Sequence, residues 1–168
     1  MDTQKRREEI ERIIKSAKEP ISGAEFSEKF GVSRQVIVQD IAIIRASNPD
    51  IISTNKGYMT IVLNGKRRIF KVKHSDEQLE DELTTIVDSG GDILDVFVIH
   101  DIYGKISADL RICSRRDVKT FIDNLRSGEV ATLKRLTEDY HFHTVEAKSI
   151  EILDCIEEEL IRKGYIVD

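Results

Sequence analysis

Cysteine is scarce in this chain, and the two present, Cys113 and Cys155, stand apart without the CxxC spacing of a thiolate zinc site or the even, patterned set of a disulfide framework. Both are expected to be small buried hydrophobes. The charged start MDTQKRREEIER lacks the apolar core of a signal peptide, and no apolar run approaches the roughly 20 residues that span a bilayer. No membrane partner and a cytoplasmic location are therefore expected. Nor does any Ser or Cys stand in a glycine elbow, and no glycine-rich loop is built to cradle phosphate, so nucleophilic and nucleotide-dependent enzymes find no support. A disordered composition is missing too: with 40% hydrophobic residues, the 168-residue chain suffices for one large or two small domains.

The only two prolines, Pro20 and Pro49, bracket the densest set of local signals. After Pro20, Ser22 caps a short helix over residues 23–30, Glu25 completes a capping box, and Gly31 supplies a left-handed stop. Ser33 then caps a second helix. Helical periodicity puts Ile37, Ile41 and Ile44 on its inner side and Arg34, Gln35, Val38, Gln39, Ala42 and Arg45 on its outer side. That outer face suits the major groove of DNA: arginine bonds guanine O6 and N7, glutamine bonds adenine N6 and N7, and valine touches a thymine methyl. The amides and dipole at the Ser33 end suit a phosphate.

A first helix over residues 5–18 carries Ile10, Ile13, Ile14 and Ala17 on one stripe and completes a tri-helical core. Beyond Asn48-Pro49-Asp50, IISTNKGYMTIVL reads as two short strands around Asn55-Lys56-Gly57, a wing whose tip Lys56 reaches phosphate or the minor groove. Residues 1–65 thus read as a winged helix-turn-helix DNA-binding domain. Charge agrees, since the balance is +4 through Phe70 and −9 from Lys71 onward: the first part approaches a polyanion and the second is repelled by one. The polar, glycine-bearing run at residues 64–68 is the boundary.

In residues 66–168 the expected elements are a strand (69–73), a helix opened by Ser75 with Gln78 at its third position and stopped at 89–91, and a strand (93–100). A turn at Tyr103-Gly104 leads to a strand through Ile112, then to a helix capped by Ser114 or Asp117 that ends at 127–128. A strand (141–145), a helix (149–163) stopped by Gly164 and a short edge strand at 165–167 complete the chain. The order β-α-β-β-α-β-α predicts an α+β, two-layer open-faced sandwich, an antiparallel sheet with helices on one side.

All four histidines lie in this second domain. His141 and His143, at i and i+2 of a strand, point to one face while Phe142 points to the other, an arrangement that supplies two metal ligands. His74, at a strand-to-helix junction, offers a third. In the following helix Leu79, Leu83, Ile86 and Val87 form the buried stripe, with Glu80 and Glu82 flanking it on opposite sides; periodicity leaves the choice between them open. Three imidazoles and one carboxylate suit one divalent transition metal per chain (zinc, nickel, cobalt or iron) rather than calcium or magnesium. His100 ends a strand next to Tyr103 and Gly104; it either lines a pocket or is satisfied by hydrogen bonds at a hairpin end.

ISGAEFSEKFGVSRQVIVQDIAIIRA followed by STNKGY resembles the biotin-repressor-type winged helix. KHSDEQLEDEL, GGDILDVFVIHDIYGKI, CSRRDVKTFI and LTEDYHFHTVEA, in that order, resemble the three-histidine (3H) domain. Together they are similar to the niacin-responsive transcriptional repressors of bacteria. The resemblance implies a homodimer on operator DNA that represses genes of NAD biosynthesis or niacin uptake, with nicotinic acid as co-repressor and a metal in the second domain. Carried over position by position, it implies His74, Glu82, His141 and His143 as the metal ligands. It also implies ligand contacts for His100 and Tyr103, which match the family's His-Pro-Val-Tyr-Gly element, although Asp101 replaces the proline here. Where the family favours His-Leu-His, this chain has His141-Phe142-His143. Two other classes use the same residues: a regulator for which the ion itself is the signal, and a metal-dependent enzyme fused to a winged helix, which lacks a spare acid or base.

Overall fold

Serine side chains set the starts of four helices in the computed structural model, which describes residues 2–61, 66–128 and 132–168. The chain divides into two compact units, Met1–Leu63 and Asn64–Asp168. The expected linker residues Asn64 and Gly65, and Val62 and Leu63 at the end of the expected second wing strand, lie outside the described residues.

The first unit comprises α1 (Thr3–Ser16), α2 (Gly23–Phe30), α3 (Arg34–Ser47), β1 (Ile51–Thr54) and β2 (Gly57–Thr60). The capping box is reciprocal: Ser22 Oγ accepts from the Glu25 amide at 3.2 Å, and the Glu25 carboxylate accepts from the Ser22 amide at 2.7 Å. Gly31, with φ 63°, ends α2, and Ser33 Oγ caps α3 by accepting from the Val36 amide. α1 stops at Ser16, two residues short of the expected Lys18, because Ala17 turns extended. Ile10, Ile14, Phe26, Ile37, Ile41, Ile44 and Ile51 make the core, each burial favouring the fold by about 1.5–3 kcal/mol.

The wing is a tight antiparallel hairpin in which Thr54 pairs with Gly57 and Thr54 Oγ1 accepts from the amides of Lys56 and Gly57. Tyr58 also exchanges backbone hydrogen bonds with Ile21, at 2.8 and 2.9 Å, which ties the wing to the segment before α2. Gly57 makes that approach possible. Its φ is 143°, and a Cβ there would lie 2.2 Å from the Ile21 carbonyl oxygen, so no other residue fits.

The second unit comprises β3 (Arg67–Lys73), α4 (Leu79–Asp88), β4 (Asp92–His100), β5 (Gly104–Ile112), α5 (Arg115–Ser127), a 3-10 turn (Leu133–Thr137), β6 (Tyr140–Glu146) and α6 (Ile150–Arg162). Its four strands pair antiparallel in the order β3-β6-β4-β5. Leu83 and Ile86 of α4, Val118 and Ile122 of α5, and Leu153, Ile156 and Leu160 of α6 join one core with Phe70, Val72, Ile93, Ile112 and Val145 of the sheet. All three helices therefore cover one face, the expected open-faced sandwich. Residues 165–167 add a short edge segment, with Ile166 bridging to Val72 of β3.

Three expectations are corrected. Ser75 does not cap α4: its amide and hydroxyl both donate to the Gln78 side chain, closing a separate turn, and the helix begins four residues later at Leu79. The 3-10 turn was not foreseen, because five residues are too few to show a period. Cys113 and Cys155 are exposed, not buried. Cys113 follows the last residue of β5 and its amide donates to Asp117, while Cys155 faces away from the stripe of Leu153, Ile156 and Leu160 that α6 buries.

Candidate functional site

The antiparallel register sets Val72 opposite His141 and Phe70 opposite His143, so the strand that ends just before His74 runs beside the one carrying the other two imidazoles. His141 and His143 share the helix-facing side of β6 with Val145, a member of the core. α4 lies over them with Glu82 on the flank that is completely buried, whereas Glu80 stays exposed beside Arg126 at 3.6 Å. The choice that periodicity left open is made by which flank of α4 meets β6.

The four side chains are almost sealed from solvent, at 4%, 0%, 2% and 1% exposure for His74, Glu82, His141 and His143. His74 Nε2 lies 2.9 Å and His141 Nε2 3.9 Å from Glu82 Oε2, and His143 Nε2 lies 3.2 Å from Glu82 Oε1. The Nε2 atoms of His74 and His141 are 3.2 Å apart. Each ring is oriented from behind. Nδ1 of His74 donates to the Ser75 carbonyl at 2.7 Å, that of His141 to the Asp139 carbonyl at 3.1 Å, and that of His143 to the Asp95 carbonyl at 2.8 Å. A carbonyl only accepts, so all three Nδ1 atoms carry hydrogen, and the neutral rings turn three Nε2 lone pairs toward the Glu82 carboxylate. The β4-β5 register shifts between Ile93 and Asp95, and beside that irregularity the Asp95 carbonyl faces His143 while the Asp95 carboxylate accepts from the amide and hydroxyl of Thr144.

Lone pairs facing a carboxylate at these distances repel unless a cation lies among them. Both Glu82 oxygens and His143 Nε2 are indeed buried without a hydrogen-bond partner. Donors held at about 2.0–2.1 Å around a tetrahedral ion are separated by about 3.4 Å, and the observed spacings bracket that value. Nitrogen donors predominate, so the set fits a divalent transition ion. A ring nitrogen of His74 and of His141 and a Glu82 oxygen all lie within 4.8 Å of one another, with His143 approaching from the other Glu82 oxygen.

Where protons rather than an ion occupy the Nε2 positions, burial pushes the Glu82 carboxyl up, but the charge of His143 first, and then the contacts from His141, His143 and His74, outweigh it and hold the group well below the usual carboxylate range. Burial lowers His141, which keeps its lone pair available. Burial also acts to lower His143, but the Glu82 carboxylate overrides it and raises the group. A metal ion at this place would therefore compete with a proton on His143.

Beside His141 and His143 opens a cavity of about 260 Å³ with walls that include Leu79, Leu83, Val96, Leu110, Phe121 and Leu125. It lies just below the usual range for ligand pockets, roughly 300–1,000 Å³, which suits a single ring. Thr132, Leu133 and Lys134 of the 3-10 segment also line it. Lys134, only 3% exposed, was not singled out in the sequence; its ammonium donates to the His74 carbonyl at 2.8 Å and pairs with Asp76 at 3.0 Å and Asp139 at 3.5 Å. No sequence signal marks it, because its partners come from two other segments.

His100 and Tyr103 do not line this cavity. They stack on each other at the tip of the β4-β5 hairpin, with ring centroids 5.0 Å apart, and His100 Nδ1 accepts from the amides of Ile102 and Tyr103. Tyr103 is 77% exposed. The three-residue loop closed by Gly104 at φ 69° uses His100 to satisfy its own backbone.

In the first unit, Ser33, Arg34, Gln35, Val38 and Gln39 are exposed on α3, and Lys56 is exposed at the wing tip. Arg45 is half-buried and donates from Nε to the Ile51 carbonyl at 3.2 Å, which joins α3 to the wing. A buried ion cluster also escaped the sequence reading: Asp40, 2% exposed on the inner side of α3, accepts from Arg6 Nε at 2.7 Å and Arg7 Nε at 2.8 Å.

Among the described residues, no helix is long and apolar enough to cross a membrane. A model of the HTH domain matches residues 6–59, and a model of the 3H domain matches residues 67–168. The chain is 38% identical to the probable transcription repressor NiaR of Thermotoga maritima, over 98% of this chain and 95% of that protein. It is 35% identical to the transcription repressor NadR of Bacillus subtilis, over 96% of this chain and 93% of that protein. With both domains matched and both relatives covered nearly end to end, the chain belongs to the family of NiaR and NadR, transcription repressors that join a DNA-binding helix-turn-helix to a 3H domain, and is a regulator rather than an enzyme.

Proposed function

We propose that this repressor binds operator DNA as a homodimer under the control of nicotinic acid, held in the second domain beside one divalent transition ion. The observation that carries the reading is that a small apolar cavity shares His141 and His143 with the four-donor centre. A pyridine nitrogen is a donor to a transition ion, and apolar walls suit the flat ring. The genes under its control are those that make NAD or take up niacin. Linkage demands reciprocity: if nicotinate tightens operator binding by some factor, operator tightens nicotinate binding by the same factor, a coupling of about 1–3 kcal/mol. Calorimetry of nicotinate against metal-loaded and metal-free protein, with and without operator, tests this. Binding to neither form would remove nicotinate as the effector.

A metal-sensing reading draws on the same centre. If all four side chains bind, they would fill a tetrahedral shell, as in closed structural sites, and the ion itself becomes a candidate signal. Operator affinity that follows metal with no response to nicotinate would favour it.

On the DNA side, Ser33, Arg34, Gln35, Val38 and Gln39 form the reading face, Arg45 joins that face to the wing, and Lys56 is a backbone contact. Arg34→Ala and Gln39→Ala are expected to weaken operator binding by about 1–3 kcal/mol each and leave random DNA nearly unaffected. Lys56→Ala is expected to weaken all sequences alike and lower the salt slope by about one. Fluorescence anisotropy on operator and random duplexes checks both; equal losses on the two for Arg34→Ala would count against base reading.

A further inference from the structure

The cavity beside His141 and His143 has few polar groups, and two of them, His143 Nε2 in the cluster with Glu82 and Thr132 Oγ1 outside it, are buried without a hydrogen-bond partner. The two histidines direct Nδ1 to backbone carbonyls and Nε2 to Glu82. The Lys134 ammonium is surrounded by the His74 carbonyl, Asp76 and Asp139. Outside the cluster around Glu82, the unsatisfied group of the cavity is that of Thr132. Its Oγ1 is buried, has no hydrogen-bond partner and belongs to a residue that lines the cavity. A buried hydroxyl without a partner carries a free-energy cost, which a ligand that accepts its hydrogen would remove.

We infer that Thr132 is the specificity-determining residue of this cavity, donating its hydroxyl hydrogen to the carboxylate of a small single-ring aromatic acid. The inference deepens the nicotinate reading and rests on it for the identity of the ring. Thr132 starts the 3-10 turn that also carries Lys134, so the group reading the carboxylate and the cation held on the His74 carbonyl belong to one short segment. An ordered acid in the cavity thereby fixes that segment against the four-donor centre. An amide offers only a neutral carbonyl to the same hydroxyl, so nicotinamide is the weaker ligand.

The test uses full-length, metal-loaded protein as wild type, Thr132→Val and Thr132→Ser, titrated calorimetrically with nicotinate, nicotinamide and benzoate, with metal content measured in each. Thr132→Val keeps the shape and removes the hydroxyl. It is expected to lose roughly 10- to 100-fold in nicotinate affinity, the range for a hydrogen bond to a charged group, with unchanged metal content, while Thr132→Ser stays close to wild type. Undiminished nicotinate binding by Thr132→Val would overturn the inference and leave the nicotinate reading standing. Benzoate binding that depends on the hydroxyl, without nicotinate binding, would uphold the inference and reject nicotinate. No binding of either acid by the wild type would overturn both.

Discussion

Asp40→Ala is expected to destabilise the helix-turn-helix domain by about 3–5 kcal/mol, a large part of the 5–15 kcal/mol typical of a domain. The cost comes from what remains. Arg6 is only 8% exposed, and without Asp40 its guanidinium is a buried charge with no counter-ion, while the partly exposed Arg7 turns to solvent at little cost. Because Asp40 lies on the inner side of α3 and both arginines on α1, the loss also frees the reading helix from its support. Burial acts to raise the Asp40 carboxyl, but hydrogen bonds from Arg6 and Arg7 prevail and lower it below its ordinary value of 3.8. The stability it contributes is therefore complete above that unfolded value and is lost as the pH falls through the lowered folded one. Urea unfolding of wild type and Asp40→Ala at neutral pH and near pH 3 checks this. A difference that does not shrink in acid would mean that the carboxylate charge is not the source.

Removing one donor from the four-residue centre is expected to have the other large effect. His143→Ala and Glu82→Gln should take metal content from one ion per chain to almost none, a loss beyond the roughly 10- to 100-fold that outer-shell contacts carry. Glu80→Gln, on the exposed flank of the same helix, is the control and should retain the ion. Acid should act like the substitutions. Protons compete for the same nitrogen lone pairs, so occupancy should fall as the pH drops through the histidine range, near 6.5. An ion bound only to the folded state also raises the melting temperature, so a chelator should lower the transition of the second domain. Elemental analysis and scanning calorimetry provide the readouts; full occupancy in His143→Ala would take that residue out of the ligand set.

Local rules were enough wherever a signal and its target lie within one turn of chain. Ser22 with Glu25, Gly31 and Ser33 are resolved by contacts three or four residues apart, which is why the helix-turn-helix was legible to the residue. The alternation that placed His141 and His143 together is equally local. Ser75 shows the limit of such rules, since the same Ser/Gln spacing that reads as a capping box closes a different turn when the helix starts later. His100 is a second case, with its ring nitrogen taken up by the loop it precedes.

By itself, then, the sequence determined the two-domain order, the outward polar face of α3, the strand-borne pair of imidazoles and, through resemblance, the grouping of His74 and Glu82 with them. Only the tertiary structure decided which flank of α4 meets β6, and so why Glu82 and not Glu80 enters the centre. It alone joined Asp40 to Arg6 and Arg7 across more than 30 residues, placed Lys134 under the His74 carbonyl 60 residues away, and left Thr132 Oγ1 buried without a partner. The physical reason is common to all of these. Period and capping follow from backbone geometry within a turn, whereas burial of a charge or a hydroxyl depends on which distant segment excludes water from it, and that is settled only when the layers pack.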